Sequence, residues 1–298
     1  MRINVVTSFN GRGLERDAEI IEALIACAGH TSRRVQWDQR ASGRPADLNI
    51  CLETMPIWVL DLAPRTWVMP NPEWWNPPWT PYLSRVERVL CKTREAIRIF
   101  SALTSRAEYL GFGARDRMDA GVPRERSFFC AAGVSVAKGA DVVVEAWRRY
   151  SIPHPLTVTG KLFAGHEPVE GVTFAGHVSD AEMRRLQNAC TWHLQPSWTE
   201  GFGMAIHEAL SCGALVAVPD FPPMSEWPGC ALRIPIVETR TQRIAPTCRV
   251  SPEGVRDAAL ALAALGEAEA ERLRAAAARQ SVEEREAFET RMLELLTA

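Results

Sequence analysis

Two kinds of apolar spacing alternate along this chain, and the alternation occurs twice. Short runs rich in Val, Ile, Leu and Cys are typical of buried strands, and the segments between them repeat apolar residues at helical spacing. The first half predicts strands at residues 2–7, 35–37, 48–52, 66–69 and 88–91. Helices are predicted at residues 15–28 and 93–103. Because strands that alternate with helices usually pair in parallel, the pattern predicts an α/β fold.

The alternation stops at residues 111–126, where GFGARDRMDAGVPRER is rich in glycine and charge and shows no periodicity. It then resumes, with strands predicted at residues 127–132, 156–159, 172–175, 191–195 and 214–218. Helices are predicted at 138–150, from Ser179, at 203–212 and from Pro252 to the end of the chain. We therefore expect two doubly wound, Rossmann-like domains, residues 1–110 and 127–280, joined by a linker at 111–126.

Composition excludes several other classes of protein. The 298 residues are 47% hydrophobic and 23% charged, so the chain can bury a core and is not disordered. The 34 basic and 36 acidic residues nearly cancel, which argues against a wholesale polyanion-binding surface. The longest apolar stretch, residues 258–265, is too short to cross a bilayer. Scattered cysteines without a CxxC pair, and a strand at residues 2–7 that leaves no room for a signal peptide, predict a cytoplasmic protein.

Residues 195–227 (QPSWTEGFGMAIHEALSCGALVAVPDFPPMSEW) are the most informative segment. Two glycines flank Phe202 where a strand ends and a helix begins, so a ligand can approach the backbone there. The N–H groups and dipole of that helix favour an anion such as a diphosphate. Glu208, inside the helix, can accept hydrogen bonds from two ribose hydroxyls, and Glu200 can meet sugar hydroxyls. The alternative is a glycine-rich loop with two solvated glutamates.

The E-x7-E pair of Glu200 and Glu208 within EGFGMAIHE closely resembles the donor-binding half of family 4 glycosyltransferases. The resemblance extends to residues 128–147 (FFCAAGVSVAKGADVVVEAW), 156–160 and 172–186 (VTFAGHVSDAEMRRL). It implies the GT-B fold, in which two Rossmann-like domains face each other across a cleft. It also implies retaining transfer of a sugar, a hexose from a UDP-sugar, and a C-terminal helix that packs back on the N-terminal domain (residues 281–298).

The resemblance assigns a role to each matching residue. Lys138 would contact the donor diphosphate, Glu208 the ribose and Glu200 the transferred sugar. Further donor contacts are implied for Gly11, Arg12, Gly13, Val178, Phe202, Gly203, Met204 and Glu226. Within this set the backbone of Val178 would meet the base, and Glu226 would help to close the sugar pocket.

Two positions depart from the family pattern. Val134 stands where the family commonly has an arginine on the donor phosphates, and Arg12 is a candidate substitute. Many members also place a histidine near the reacting sugar, but the only histidine of the N-terminal half is His30, at the end of a helix. Glu73, in PNPEWW, is the better candidate for that catalytic role.

We expect neither a metal ion nor a cofactor besides the nucleotide sugar. No paired Asp-x-Asp lies near a predicted strand end, and the histidines and cysteines show no recurring ligand spacing. Helix N–H groups and a lysine can stabilise a leaving diphosphate without a metal. His193 and His207 are therefore interpreted as packing or hydrogen-bonding residues.

The acceptor side is distinctive but leaves alternatives open. Residues 70–81 (PNPEWWNPPWTP) hold Trp74, Trp75 and Trp79, which form either a rigid stacking platform for an acceptor or the cover of a small core. PNPEWW and VLCKT are similar to short phage-type glycosyltransferases, some of which modify hydroxymethylated pyrimidines in DNA. A basic run of arginines at residues 33–44 could hold a phosphate backbone or be a solvated face. Glycan, lipid, small-molecule and hydroxymethylated-DNA acceptors all stay open.

Two other functions share this fold. A sugar-nucleotide 2-epimerase would need acid and base residues that the N-terminal half does not display. A sugar-nucleotide-binding protein without transferase activity is suggested by Val134. The presence of Lys138, Glu200 and Glu208 argues against it.

Overall fold

The computed structural model describes residues 1–9, 11, 13–161 and 167–298. The chain divides into two compact units. Unit 1 consists of Met1–Phe112, Thr241–Ala245 and Glu284–Ala298, and unit 2 of Gly113–Arg240 and Pro246–Glu283.

Unit 1 is built on a parallel six-stranded sheet in the order β2-β1-β3-β4-β5-β6. Its strands are β1 (Arg2–Thr7), β2 (Thr31–Gln36), β3 (Leu48–Leu52), β4 (Arg65–Met69), β5 (Arg88–Cys91) and β6 (Ala107–Tyr109), and its first helices are α1 (Gly13–Cys27) and α2 (Arg94–Ser101). All five residues of β3 are buried, as expected for a strand covered on both faces. Helix α2 begins where the sequence predicts, because the Thr93 side chain accepts a hydrogen bond from the Ala96 N–H at 3.0 Å.

Unit 2 repeats the architecture with a sheet in the order β12-β11-β10-β7-β8-β9. Its strands are β7 (Glu125–Gly133), β8 (Leu156–Gly160), β9 (Val172–Gly176), β10 (Cys190–Leu194), β11 (Leu215–Pro219) and β12 (Leu232–Ile234). Two further strands, β13 (Ile236–Gln242) and β14 (Ala245–Val250), form a separate two-stranded sheet. The helices are α3 (Ala140–Arg149), α4 (Asp180–Ala189), α5 (Met204–Ser211), α6 (Pro252–Ala264) and α7 (Glu267–Thr297). The predicted pair of doubly wound α/β sheets is confirmed.

Part of the segment predicted as a linker is ordered structure of unit 2. Strand β7 begins at Glu125, and Arg117 is 7% exposed. The Arg117 guanidinium donates to Gln187 Oε1 at 3.0 Å and to Asp180 Oδ2 at 2.9 Å. These charged hydrogen bonds attach residues around 117 to helix α4, so the glycine and charge content of this stretch did not indicate a free connection.

Helix α7 is long, and its residues from Glu284 onward are counted in unit 1. Phe288 is fully buried there and packs on Phe112, with ring centroids 4.7 Å apart. Arg291 Nε donates to the Leu110 carbonyl at 2.7 Å. Within the described residues, no helix is both long and apolar enough to span a membrane.

Candidate active site

Lys138 and Glu200 form an ion pair at the carboxyl edge of the unit 2 sheet. Lys138 Nζ lies 2.7 Å from Glu200 Oε1 and 2.8 Å from Oε2. The side chain of Glu200 is 9% exposed and that of Lys138 28%. Lys138 follows β7 and Glu200 follows β10, which are neighbours in the sheet. Ligands of open parallel sheets bind at this edge, so the pair is well placed to contact one.

Gly139 explains how the loops that carry this pair come together. Its φ is +66°, and a Cβ atom there would lie 2.3 Å from the carbonyl oxygen of Pro196, closer than any real contact. The Trp198 N–H donates to the Ala137 carbonyl at 2.8 Å, joining the same two loops. Only glycine allows this approach, so the KG dipeptide is a structural requirement for the position of Lys138.

Helix α5 starts beside the same edge. Gly203 precedes its first residue, Met204, with φ +92°, which favours glycine. The first N–H groups of a helix have no partners within the helix and carry the positive end of its dipole. Gly203 is buried and Met204 is half-buried. Gly203 ends the same loop that carries Glu200, so the first N–H groups of α5 follow Glu200 closely along the chain.

Glu208 lies one turn into α5 and is 7% exposed. Its Oε2 accepts a hydrogen bond from Gln187 Nε2 at 2.7 Å. Gln187 is itself held by Arg117, whose Nε donates to the Gln187 Oε1 at 3.0 Å. The amide therefore orients the carboxylate, and the arginine orients the amide. Sequence reasoning did not find this chain of contacts, because Arg117, Gln187 and Glu208 lie far apart in the sequence.

The side chain of Phe202 packs among aromatic rings within unit 2. It is 5% exposed and stacks on His207, with centroids 4.0 Å apart and planes 17° apart. Trp227 meets the His207 ring edge-on at 4.2 Å. Burial lowers the pKa of His207 to about 3, so this imidazole is neutral in the folded protein. The three rings form packing under the start of α5, as interpreted for His207 from the sequence.

The remaining unit 2 candidates are Val178 and Glu226. Val178 precedes α4 and is half-buried against a cluster of Phe129, Leu186 and Cys190. Glu226 ends a single helical turn after β11 and is half-buried. In the described part of the chain, no three His, Cys, Asp or Glu residues are grouped as metal ligands.

The glycine loop of unit 1 already has an anionic partner. The Gly11 N–H donates to Glu15 Oε2 at 2.7 Å, and Glu15 Oε1 accepts from Arg34 at 3.0 Å. Gly13 is the first residue of α1, and Arg12 lies outside the described residues. A donor phosphate at this loop would therefore compete with the Glu15 carboxylate for the Gly11 amide.

The tryptophan-rich segment divides between core and surface. Trp75 is fully buried, packs edge-on against Trp79 at 5.4 Å and Phe100 at 5.2 Å, and donates from Nε1 to Thr80. The interpretation of its indole as an exposed platform is therefore wrong, because the side chain is packed inside the hydrophobic core of unit 1. Trp79 is half-buried in the same cluster, whereas Trp74 is 46% exposed.

Glu73 lies in the short helical turn Pro72–Trp74 and is only 6% exposed. Its carbonyl accepts a hydrogen bond from Gln242 Nε2 at 3.1 Å. Gln242 belongs to the short insertion Thr241–Ala245, which nothing in the sequence pattern had placed in unit 1.

Sequence reasoning also missed four polar residues at the carboxyl edge of the unit 1 sheet. Lys92 is 1% exposed, and its Nζ lies 2.7 Å from Asp17 Oδ2. Asn71 Nδ2 donates to Glu53 Oε2 at 2.7 Å. Glu53 and Lys92 each come directly after a predicted strand, and Asn71 comes two residues after one. Their position after strands was the signal that could have identified these three residues, whereas Asp17 lies on α1.

Several solved structures of other proteins are similar to this chain in fold. A glycosyltransferase from Rickettsia africae ESF-5 superposes with a TM-score of 0.73 at 14% identity, covering 99% of this chain and 97% of that one. An Anabaena protein, HepE, gives 0.66 at 13% identity, with 100% and 97% covered. An E. coli protein bound with UDP-2-fluoro glucose gives 0.69 at 11% identity, with 100% and 99% covered. No curated protein sequence matches the chain.

These likenesses show that the fold is GT-B, as predicted. Residues 125–265 match the family model described as glycosyl transferases group 1, and this stretch contains Lys138, Glu200 and Glu208. The chain therefore carries a group 1 glycosyltransferase domain and is a glycosyltransferase.

Proposed function

We propose that the protein transfers a hexose from a UDP-sugar to a hydroxyl acceptor, with retention of configuration and without a metal ion. The observation that carries the proposal is the Lys138–Glu200 pair beside the start of α5, with Glu208 buried one turn further on. Structures of similar fold support the donor: the Anabaena protein was solved with UDP and glucose, and a pneumococcal O-GlcNAc transferase with UDP and GlcNAc.

Each part of the donor has a matching group in unit 2. The ribose hydroxyls would donate to Glu208, whose orientation Gln187 maintains at 2.7 Å. The base would meet the backbone of Val178. The diphosphate would accept hydrogen bonds from the N–H groups of Gly203 and Met204 at the positive end of α5.

Lys138 and Glu200 would exchange partners when the donor binds. Lys138 Nζ would leave the carboxylate for a diphosphate oxygen, where a charge-assisted hydrogen bond is stronger than a neutral one. The Glu200 carboxylate would then accept hydrogen bonds from the hydroxyls of the sugar. Glu226 would help to close the sugar pocket, and Phe202 would act through packing.

The reaction breaks the bond between the anomeric carbon and the diphosphate oxygen, and negative charge develops on the diphosphate. The N–H groups at the start of α5 and the Lys138 ammonium would stabilise this charge, and no metal is needed for it. The acceptor oxygen would attack on the face that the diphosphate leaves, and its proton would pass to the departing phosphate oxygen. This sequence gives retention of configuration at the anomeric carbon.

We assign acceptor binding to the N-terminal part, residues 1–110, where Glu73 and Trp74 stay candidates. A hydroxymethylated-DNA acceptor receives little support from the basic run at residues 33–44. Arg34 in that run already binds Glu15 and Glu22 at 3.0 and 2.9 Å. Arg44 donates to carbonyls of its own loop.

The proposal is tested by UDP binding to a Glu208→Gln variant. Hydrogen bonds to a charged group contribute about 1.5–3 kcal/mol, so we expect calorimetry to show UDP affinity lowered by roughly tenfold or more. The wild type should bind 2′,3′-dideoxy-UDP more weakly than UDP by a similar factor, because the nucleotide lacks the ribose hydroxyls. The variant should bind the two nucleotides with nearly equal affinity. Glu182→Gln, on the exposed face of α4, is the matched control. Equal losses with the dideoxy nucleotide in both proteins would refute the ribose contact.

Transfer itself is tested by incubating the protein with pooled UDP-sugars and candidate acceptors. Release of UDP together with a hexose-sized mass gain on an acceptor would support the transferase. The acceptors should include simple glycosides, lipid, and DNA that contains hydroxymethylcytosine. UDP binding without release of UDP under all conditions would favour the binding-only alternative.

A further inference from the structure

Four polar side chains from four elements meet at the carboxyl edge of the unit 1 sheet. Glu53 directly follows β3, Asn71 lies two residues after β4, and Lys92 directly follows β5. Asp17 reaches the same place from the second turn of α1. Strands β3, β4 and β5 are neighbours in the sheet, so their ends present these residues side by side. We refer to Asp17, Glu53, Asn71 and Lys92 as the edge cluster.

Asn71 is the residue whose hydrogen bonding is incomplete. Its Nδ2 donates to Glu53 Oε2 at 2.7 Å, which fixes the amide plane beside the carboxylate. Its Oδ1 is buried and has no hydrogen-bond partner among the described residues, and the residue as a whole is only 8% exposed. The hydroxyl of Thr54, next to Glu53, is in the same state within the described chain. Buried amide oxygens normally have a donor, so this place is suited to a ligand that supplies one.

Glu53 is held in an unusual conformation. Its φ is +64°, a region that a residue with a branched or long side chain adopts only at a cost. Burial raises the pKa of its carboxyl, while the hydrogen bond from Asn71 and the charge of Lys92 oppose that shift. Residues in such conformations cluster at sites where a side chain must be aimed at a ligand.

Lys92 and Asp17 hold the cluster without leaving a net positive charge. The Lys92 ammonium is 2.7 Å from Asp17 and 4.7 Å from the centre of the Phe112 ring. It is 1% exposed, so it acts as a fixed support. Because the two carboxylates outnumber the one ammonium, the cluster disfavours a phosphate group. It fits instead a neutral compound whose hydroxyl groups donate hydrogen bonds.

We infer that the edge cluster is a subsite for the hydroxyl groups of a neutral sugar acceptor, which donate hydrogen bonds to Glu53 and to Asn71 Oδ1. Glu53 and Asn71 contact the acceptor, and Lys92 and Asp17 are positioning residues. The inference rests on the proposed function, since a transferase must hold the acceptor hydroxyl that attacks the sugar.

The first experiment measures binding of simple glycosides by saturation-transfer NMR on the full-length protein. The probes are methyl α-glucoside, methyl β-galactoside and methyl α-mannoside, with inorganic phosphate as the anionic comparison. The variants are Glu53→Gln and Asn71→Ser. Glu87→Gln is the matched control, because Glu87 immediately precedes β5 and so lies at the opposite, amino edge of the same sheet.

We expect at least one glycoside to bind the wild type and the Glu87→Gln control. Its affinity should fall by about tenfold or more in Glu53→Gln and Asn71→Ser, the loss expected for a buried hydrogen bond to a charged or fixed acceptor. UDP affinity should stay unchanged in both variants, which also shows that they fold. A merely structural cluster would not give this selective loss.

Three results would overturn the inference while leaving the donor site intact. They are UDP binding with no glycoside binding, glycoside binding that neither variant weakens, and phosphate binding that depends on Glu53. Absence of UDP binding in the wild type would instead count against the proposed function itself. The two failures are therefore distinguishable in the same set of samples.

Discussion

The buried imidazole of His207 makes the stability of unit 2 depend on pH in a way that a single substitution should reveal. His207 is 1% exposed, and burial lowers its pKa from 6.5 to about 3. As the pH falls below about 6.5, the unfolded chain takes up a proton at this histidine while the folded protein does not. The free energy of unfolding is therefore unaffected by this group above that pH and decreases below it.

The size of the effect follows from the two pKa values. Each pH unit between about 6.5 and about 3 costs about 1.4 kcal/mol, so His207 removes about 2 kcal/mol at about pH 5. Replacing it with phenylalanine keeps a ring between Phe202 and Trp227. The change also removes a buried Nε2 atom that has no hydrogen-bond partner within the described chain. The variant should therefore be at least as stable as the wild type near neutral pH.

The assay is urea unfolding, followed by tryptophan fluorescence, at about pH 7.5 and about pH 5. Between these conditions the His207→Phe variant should lose about 2 kcal/mol less than the wild type. His193 is buried with a pKa of about 3 and stays in both proteins, so its contribution cancels. The exposed His177 provides the control, because His177→Gln should reproduce the wild-type loss. Equal losses in His207→Phe and the wild type would refute the reasoning.

Four other substitutions test three separate parts of the structure. Gly139→Ala should destabilise the protein by more than about 1 kcal/mol in urea unfolding, since φ is positive and the new methyl meets the Pro196 carbonyl; an unchanged midpoint would contradict that contact. Trp75→Ala should cost about 3–5 kcal/mol, whereas Trp74→Ala should stay within about 0.5 kcal/mol, and similar losses for both would refute the division into core and surface. Lys138→Met should weaken UDP binding by roughly tenfold or more in calorimetry while leaving uridine binding unchanged, and a parallel loss for uridine would argue against a diphosphate contact.

Local patterns predicted much of the fold, because they depend on neighbours in the chain. The start of α2 at Thr93 and the end of α5 before Gly213 follow from capping and from glycine at positive φ. The same patterns failed where a strand is polar. Strand β2 begins at Thr31, four residues before the predicted strand, since TSRR lies exposed at the edge of the sheet. Strands β6, β13 and β14 lack an alternation strong enough to be seen.

In the candidate site too, some features follow from local sequence and others arise only in the folded chain. The spacing of Glu200 and Glu208 and the glycine before α5 are local features, and the sequence alone placed them around the start of one helix. That Lys138 meets Glu200, 62 residues away, is a property of two loops brought together at neighbouring strand ends. The sequence suggested both residues, but only the folded chain made them a pair.

The sequence by itself therefore determined the two parallel sheets, the helix that begins at Met204 and the chemical types of the candidate residues around it, because periodicity, capping and glycine conformations act over a few residues. Tertiary structure decided the rest. It placed Trp75 in the core, joined Arg117 through Gln187 to Glu208, and assembled the edge cluster from β3, β4, β5 and α1. Burial and hydrogen-bond partners depend on which distant segments pack against a residue, and no local pattern contains that information.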